Sequence, residues 1–290
     1  MSVYAYLKTE NAIHIASDTA VYNGENKIAA HASKTKNYPF AQCCISYKGY
    51  DNLQYLFERF LREYSWVSTV DEIIKLIHLN FLDWLNERPY VLENNFDDGF
   101  MGLITIYGQS SISNDSIVSK LGSSNQILQL SSLPKKMRVR TILVYKNEIK
   151  SIGCLETILD PIIGEIHYDN LPFSQEKQIV REASNRINEN IKSFDDILLS
   201  EDYTNDCTFE KECAIAMIEK QKDILFQNEL YNFIMKCYDI SKDDSENTPI
   251  GGKIEYTKIF LENGCPVVLQ KDIGELGNFN NTLKTILNNI

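Results

Sequence analysis

Ser2-Val3-Tyr4-Ala5-Tyr6-Leu7-Lys8-Thr9-Glu10-Asn11-Ala12-Ile13-His14-Ile15-Ala16-Ser17-Asp18-Thr19 opens the chain. Residues 2–7 have the β-branched and aromatic content of a strand. Lys8-Thr9-Glu10-Asn11 is a polar turn, and Ala12 to Ala16 reads as the returning strand, with Ile13 and Ile15 on one face. The sequence therefore predicts a β-hairpin that begins at residue 2. Most chains fray over their first residues, whereas here the first residues are placed inside a sheet.

The pattern continues outward from that hairpin. Phe40 to Tyr47 reads as a third strand, broken by Gly49-Tyr50-Asp51. Leu53, Leu56, Phe57, Phe60, Leu61 and Tyr64 recur at helical spacing. Thr69-Val70-Asp71-Glu72 has the S/T-x-x-E form of a capping box, and Ile73, Ile77, Phe81 and Trp84 carry the apolar stripe of the helix it starts. Gly102 to Tyr107 is a buried-type strand, residues 109–124 read as loop, and residues 138–145 and 148–152 form a hairpin. Ser174 to Asn190 and Phe209 to Tyr238 read as helices. Lys253 to Phe260, a turn at Glu262-Asn263-Gly264, and Pro266 to Leu269 close the chain as a further hairpin. Hairpins make the sheets antiparallel. Two antiparallel sheets with helices outside both satisfy the burial requirement, so the fold class is α+β, in a single domain spanning 2–290.

Composition removes several classes of function. The 290 residues are 43% apolar and 24% charged, with a formal net charge of −11. That balance is ordinary for a globular domain. It does not suit a nucleic-acid surface, which needs clustered Lys and Arg, nor an anionic membrane. No run of about 18 apolar residues is present, and the first residues lack a signal-peptide pattern. The seven cysteines have no C-x-x-C spacing and the four histidines lie far apart. These features lead us to expect reduced thiols, a cytoplasmic location, and neither metal nor cofactor.

The residues that carry chemistry are Ser2, Asp18 and Lys34. Once Met1 is removed, Ser2 holds a hydroxyl and a free α-amine together. Such an amine has an intrinsic pKa of about 7.7–8.0, so it can take the hydroxyl proton as Oγ attacks a carbonyl. A nearby fixed cation favours the neutral amine, and that cation in turn needs a carboxylate to hold it. Ser2 to Asp18 is 16 positions, and Asp18 to Lys34 is again 16.

Ile13-His14-Ile15-Ala16-Ser17-Asp18-Thr19-Ala20, those two equal intervals, and Ile250-Gly251-Gly252-Lys253-Ile254 resemble proteasome β-subunits and their bacterial relatives among the N-terminal-nucleophile (Ntn) hydrolases. The resemblance covers about residues 2–65 well and extends in part to 138–190 and 248–265. It implies a four-layer αββα sandwich, with a helical insertion at about 191–245. Ser2 would be the nucleophile and its amine the base. Lys34 would tune that amine, Asp18 would hold Lys34, and the Gly49 N–H would be an oxyanion donor. The implied activity is cleavage of a peptide or amide bond. The implied assembly is a homo-oligomer, which in that family is a ring. No propeptide is needed where only Met1 precedes Ser2.

Departures from the pattern keep a second reading open. Serine stands where proteasome subunits use threonine. Cys154 in Ile152-Gly153-Cys154 stands where the family has a serine, and a thiol is a weak hydrogen-bond partner. Asn247 and Ile250 stand where it has Asp and Ser. The alternative is a catalytically inactive member of the fold that serves as an assembly or binding module. A small-molecule amidase is a third possibility.

Overall fold

The computed structural model describes residues 3–9, 12–22, 28–49, 51–64, 67–88, 99–110, 137–152, single helical positions between 182 and 193, and 208–243, 250–263 and 265–276. Ser2, Cys154 and Asn247 lie outside the described residues.

Strands β1 (Tyr4–Lys8) and β2 (Ala12–Asp18) form the opening hairpin, in register from Tyr4↔Ser17 to Lys8↔Ile13. Thr9 closes its turn: its amide donates to the Ala12 carbonyl at 2.8 Å, and its Oγ1 accepts from the Ala12 amide at 3.0 Å. Two short strands, β3 (Ala20–Tyr22) and β4 (Ile28–His31), follow as an antiparallel ribbon. β5 (Thr35–Tyr38), β6 (Cys43–Gly49), β7 (Phe100–Gln109), β8 (Met137–Tyr145) and β9 (Ile149–Ile152) make a five-stranded antiparallel meander in chain order. The last two strands, β10 (Lys253–Glu262) and β11 (Cys265–Glu275), return to the first sheet, whose order is β1-β2-β10-β11. The two ends of the described chain thus share one sheet, and Asp18 lies opposite Ile254.

The central strands of the meander, β6, β7 and β8, separate two environments, because successive side chains point to opposite faces. Ile104 and Ile106 join Cys43, Ile45, Tyr47, Ile142 and Val144 in a cluster with the helices that follow β6. Those helices are α1 (Asp51–Glu63), α2 (Val70–Leu76), a π-helical turn (Ile77–Phe81) and α3 (Leu82–Asn86). α2 carries the expected capping box, with Thr69 and Glu72 each accepting the other's amide. Phe57, Phe60 and Phe81 are fully buried there, with the Phe60 and Phe81 ring centroids 4.8 Å apart. Full burial of such a side chain contributes roughly 1.5–3 kcal/mol.

The opposite face of the meander meets the four-stranded sheet. Cys44, Tyr107, Met137 and Val139 pack with Tyr6, Ile13, Ile15 and Ile259. Tyr4 reaches across to Thr105, with the two oxygens 2.7 Å apart. On the outer side of the four-stranded sheet lies one long helix, α4 (Thr208–Asp243). Its Phe226, Leu230, Phe233, Ile234, Cys237 and Tyr238 pack with residues such as Val3, Ala5, Ala16 and Ile254. β2 is consequently buried along its whole length.

Several details of the sequence reading change, two of them at β6. Phe40 is not in β6: Pro39–Ala41 form a single 3-10 turn, because proline cannot donate to a ladder, and the strand starts at Cys43. Gly49 does not break that strand but ends it, paired with Gly102.

Candidate functional site

Asp18 is the last residue of β2, and its carboxylate is fully enclosed at 0% exposure. Oδ1 accepts the Val3 amide at 2.9 Å and the Lys34 ammonium at 2.6 Å. Oδ2 accepts the Gly251 amide at 3.3 Å. The Asp18 amide in turn donates to the Val3 carbonyl at 3.1 Å. A buried charge persists only when it is paired and hydrogen-bonded, and this carboxylate has a donor on each oxygen.

Lys34, 7% exposed, comes from the turn between β4 and β5. Its carbonyl accepts the Tyr47 amide at 3.1 Å, which ties the turn to β6. The spacing Asp18 to Lys34 therefore corresponds to a direct ion pair. Two glycines complete the enclosure. The Ala20 amide donates to the Gly251 carbonyl at 3.1 Å, and the Lys253 amide donates to Thr19 Oγ1 at 2.9 Å. Gly252 has φ +83°, and a Cβ there would lie 2.5 Å from His31 Nδ1 and 2.6 Å from Thr19 Oγ1. Only glycine fits that backbone.

Gly49 also sits at a position that demands glycine. Its φ is +115°, and a Cβ would come within 2.5 Å of Gly102 Cα and 2.6 Å of the Met101 carbonyl. It stands two residues past Tyr47, whose amide holds Lys34, but makes no described bond to Asp18 or Lys34. Ile250 is 4% exposed and packs in the apolar cluster under α4, so its side chain contributes no polar group. Val3 is the first described residue, and the amide it gives to Asp18 is the peptide nitrogen that joins it to residue 2.

Two basic groups near the pair were not singled out from sequence. Lys48 has its ammonium pulled down to about 8, first by burial and then by the Lys34 charge. His31 has its imidazole pulled below the ordinary range by burial; Asp18 opposes that shift, while Lys253 and Lys34 add to it. A signal for Lys48 exists in the alternation of β6. It lies two residues beyond Ser46, whose hydroxyl is 2.7 Å from Thr35 Oγ1. His31 lies on a four-residue strand whose pairing the sequence does not announce. Among the described residues, no three His, Cys, Asp or Glu side chains converge as a metal site would require. No described helix is long and apolar enough to cross a membrane.

No family model matches the chain, and no curated protein matches it. Among solved structures, the chain is similar to Anbu, the ancestral beta-subunit, from Yersinia bercovieri. The TM-score is 0.47 at 10% identity, covering 99% of this chain and 92% of that one. It is also similar to the Gly-1 mutant of Anbu from Hyphomicrobium sp. strain MC1. There the TM-score is 0.41 at 12% identity, covering 99% and 93%. Both scores are low, so the fold and the site rest on this chain's own strands and side chains.

Proposed function

We propose that this chain is a proteasome-like Ntn hydrolase of αββα layering, which cleaves peptide or amide bonds through Ser2 once Ser2 is the first residue. One observation carries the reading: the buried Asp18 carboxylate binds both the Lys34 ammonium and the amide that follows residue 2. That is the lysine–aspartate pairing an N-terminal nucleophile needs, anchored one peptide bond from the candidate nucleophile. The three apolar clusters, helices on meander, sheet on sheet and α4 on the first sheet, support the layering.

The chemistry follows from the groups present. The α-amine of Ser2 accepts the Oγ proton as Oγ attacks the substrate carbonyl carbon. The resulting oxyanion needs an N–H donor, and Gly49 is our candidate. Collapse expels the leaving amine, which takes the proton back from the α-ammonium and leaves an acyl ester on Ser2. Water then attacks the ester, again with the amine as base, and releases the acid. Lys34 and Lys48 place positive charge around this centre, which disfavours a protonated α-amine. Resemblance also suggests self-association, and Tyr55 and Leu79, 59% and 64% exposed on the helical side, suit such a contact.

A second reading, an inactive assembly or binding module, is favoured by the apolar burial of Ile250. One experiment separates the two. The untagged protein is made with nothing before Met1, its intact mass is measured, and it is treated with a β-lactone, whose ring opening acylates a hydroxyl and adds the whole reagent mass. The hydrolase reading expects a chain that begins at unmodified Ser2, one added reagent mapping to Ser2, and no such addition in Ser2→Ala. A chain that retains Met1, or a free Ser2 that stays unlabelled, overturns it in favour of the module.

A further inference from the structure

The turn that delivers Lys34 is gripped from a second side. Ser33 Oγ lies 2.5 Å from Glu255 Oε1 and 2.6 Å from the Thr35 carbonyl. Gln270 Nε2 donates to the same Glu255 oxygen at 2.6 Å, to the Thr35 carbonyl at 3.0 Å and to Ser33 Oγ at 3.2 Å. Glu255 and Gln270 belong to β10 and β11, while Ser33 and Thr35 flank Lys34. Between Ile254 and Glu255 the register of β10 against β11 shifts. Such irregularities re-aim side chains. Here Ile254 stays opposite Asp18 while Glu255, the next residue, meets the Ser33 turn.

We propose that Glu255, assisted by Gln270, is a positioning residue for Lys34: its carboxyl group clamps the Ser33–Thr35 turn and so fixes where the Lys34 ammonium meets Asp18. The functional meaning of the clamp rests on the hydrolase reading. The clamp itself does not.

Counting protons shows how the clamp depends on charge. A serine hydroxyl carries one hydrogen, yet Ser33 has two acceptors at 2.5 and 2.6 Å. With Glu255 ionised, Ser33 donates to the carboxylate in a charge-assisted hydrogen bond, and Gln270 donates to the same oxygen. With Glu255 neutral, both donors face a weaker acceptor, and Ser33 is free to turn to the Thr35 carbonyl instead. Burial raises the Glu255 carboxyl above the usual range; Ser33 and Gln270 oppose the shift and Asp272 adds to it. Asp272 is itself paired with Lys253 at 2.6 Å. Because the Ser33 and Gln270 bonds favour the carboxylate, the ionised form is the tighter clamp, and the grip slackens as Glu255 gains a proton.

The Tyr47 amide, bonded to the Lys34 carbonyl, reports on the turn. Its hydrogen exchange is followed by NMR from pH 4 to 8 in the wild type, Glu255→Gln, Glu255→Ala and Gln270→Ala. The Tyr145 amide, bonded to the Glu148 carbonyl in a distant hairpin, is the control. We expect Tyr47 protection, corrected for intrinsic exchange, to fall in the wild type as Glu255 is protonated. Glu255→Gln, which does not titrate, should hold protection flat with pH. Glu255→Ala should lose about tenfold of it, the scale of one hydrogen bond, and Gln270→Ala a part of that loss, with Tyr145 unchanged. Unchanged Tyr47 protection in Glu255→Ala, an equal loss at Tyr145, or a Glu255→Gln variant that titrates like the wild type would each overturn the clamp. The last comparison needs only the shape-conserving variant, so it survives if the alanine variant does not fold. Failure of the hydrolase reading shows separately, as absent β-lactone labelling of Ser2 in wild-type protein whose Tyr47 behaves as expected.

Discussion

Replacing Lys34 with methionine keeps most of the side-chain volume and removes the charge. Asp18 would then be a fully enclosed carboxylate without its cation, since the pair is 0% and 7% exposed with 2.6 Å between Oδ1 and Nζ. Breaking a buried pair by removing one partner costs about 3–5 kcal/mol. The Val3 and Gly251 amides remain on Asp18, and hydrogen bonds to a charged group are worth about 1.5–3 kcal/mol, so the expected loss lies at the lower end, about 3 kcal/mol. With a urea slope of about 3 kcal/mol/M, the midpoint falls by about 1 M. The exposed neighbour Lys36 supplies the control: Lys36→Met should move stability by no more than about 0.5 kcal/mol. In a double-mutant cycle with Asp18→Asn, the two losses should fail to add by at least about 1 kcal/mol. A Lys34→Met variant that loses less than about 1 kcal/mol, the range of exposed pairs, would refute the description of this contact as a buried ion pair.

Three further predictions test other parts of the description. Burial holds the Cys43 thiol far above its ordinary range and pushes Cys44 and Cys237 up to about 12, while Cys213 and Cys265 are exposed. Among these five, Ellman's reagent should modify only Cys213 and Cys265 in the native protein, and the others only in denaturant. His14, enclosed beside Tyr256 and Phe226, has its imidazole pulled down to about 3 by burial and then by Lys258. It is neutral at pH 7, so its 3.9 Å approach to Asp223 is not an ion pair there. Because the folded value lies below the unfolded one, stability should fall by about 1.4 kcal/mol per unit as pH drops from about 6.5 towards 3, and urea titrations of His14→Gln should show a shallower slope. Gly49→Ala places a Cβ against Gly102 Cα and the Met101 carbonyl at a left-handed φ, and should lower thermal stability by about 2–4 kcal/mol.

The parts of the fold legible in sequence are those where local chemistry and tertiary environment agree. α1 and α2 announce themselves through a stripe at helical spacing and a capping box, and both are realised. The opening hairpin is legible because two short runs of strand-forming residues flank the polar Lys8-Thr9-Glu10-Asn11, with Ile13 and Ile15 on one face of the returning strand. β5 was not legible. Thr35-Lys36-Asn37-Tyr38 is polar and becomes a strand only by pairing with Cys43–Ser46. The same limit applies at the site. Asp18 and Lys34 could be named from spacing and resemblance, and the structure brings them together. Glu255 and Ser33 are 222 positions apart and meet only because β10 pairs with β2, which no local pattern encodes.

A structural role accounts for part of the site but not for its charge balance. Val3 and Gly251 donate to different oxygens of Asp18. An asparagine there could accept only one of them, so a carboxylate is the natural clasp between β1 and the Gly251-Gly252 segment. One cation is then enough to balance it, and Lys34 is that cation. Lys48 lies beside that pair, and its ammonium, lowered to about 8 by burial and then by Lys34, is held at a cost to stability. Positive charge beside such a pair is useful where an amine must stay neutral or an oxyanion must form. Lys48→Met should therefore stabilise the protein at pH 7, by about 1–3 kcal/mol given its partial exposure. In the wild type, stability should rise as pH climbs from about 8 towards 10.5, since a depressed lysine favours the deprotonated folded state, and the variant should lack that rise. The same variant should label more slowly with β-lactone at Ser2. A protein that becomes more stable and labels as fast as the wild type would show that the extra cation serves neither the clasp nor the chemistry, and the charge argument for a hydrolase would fall.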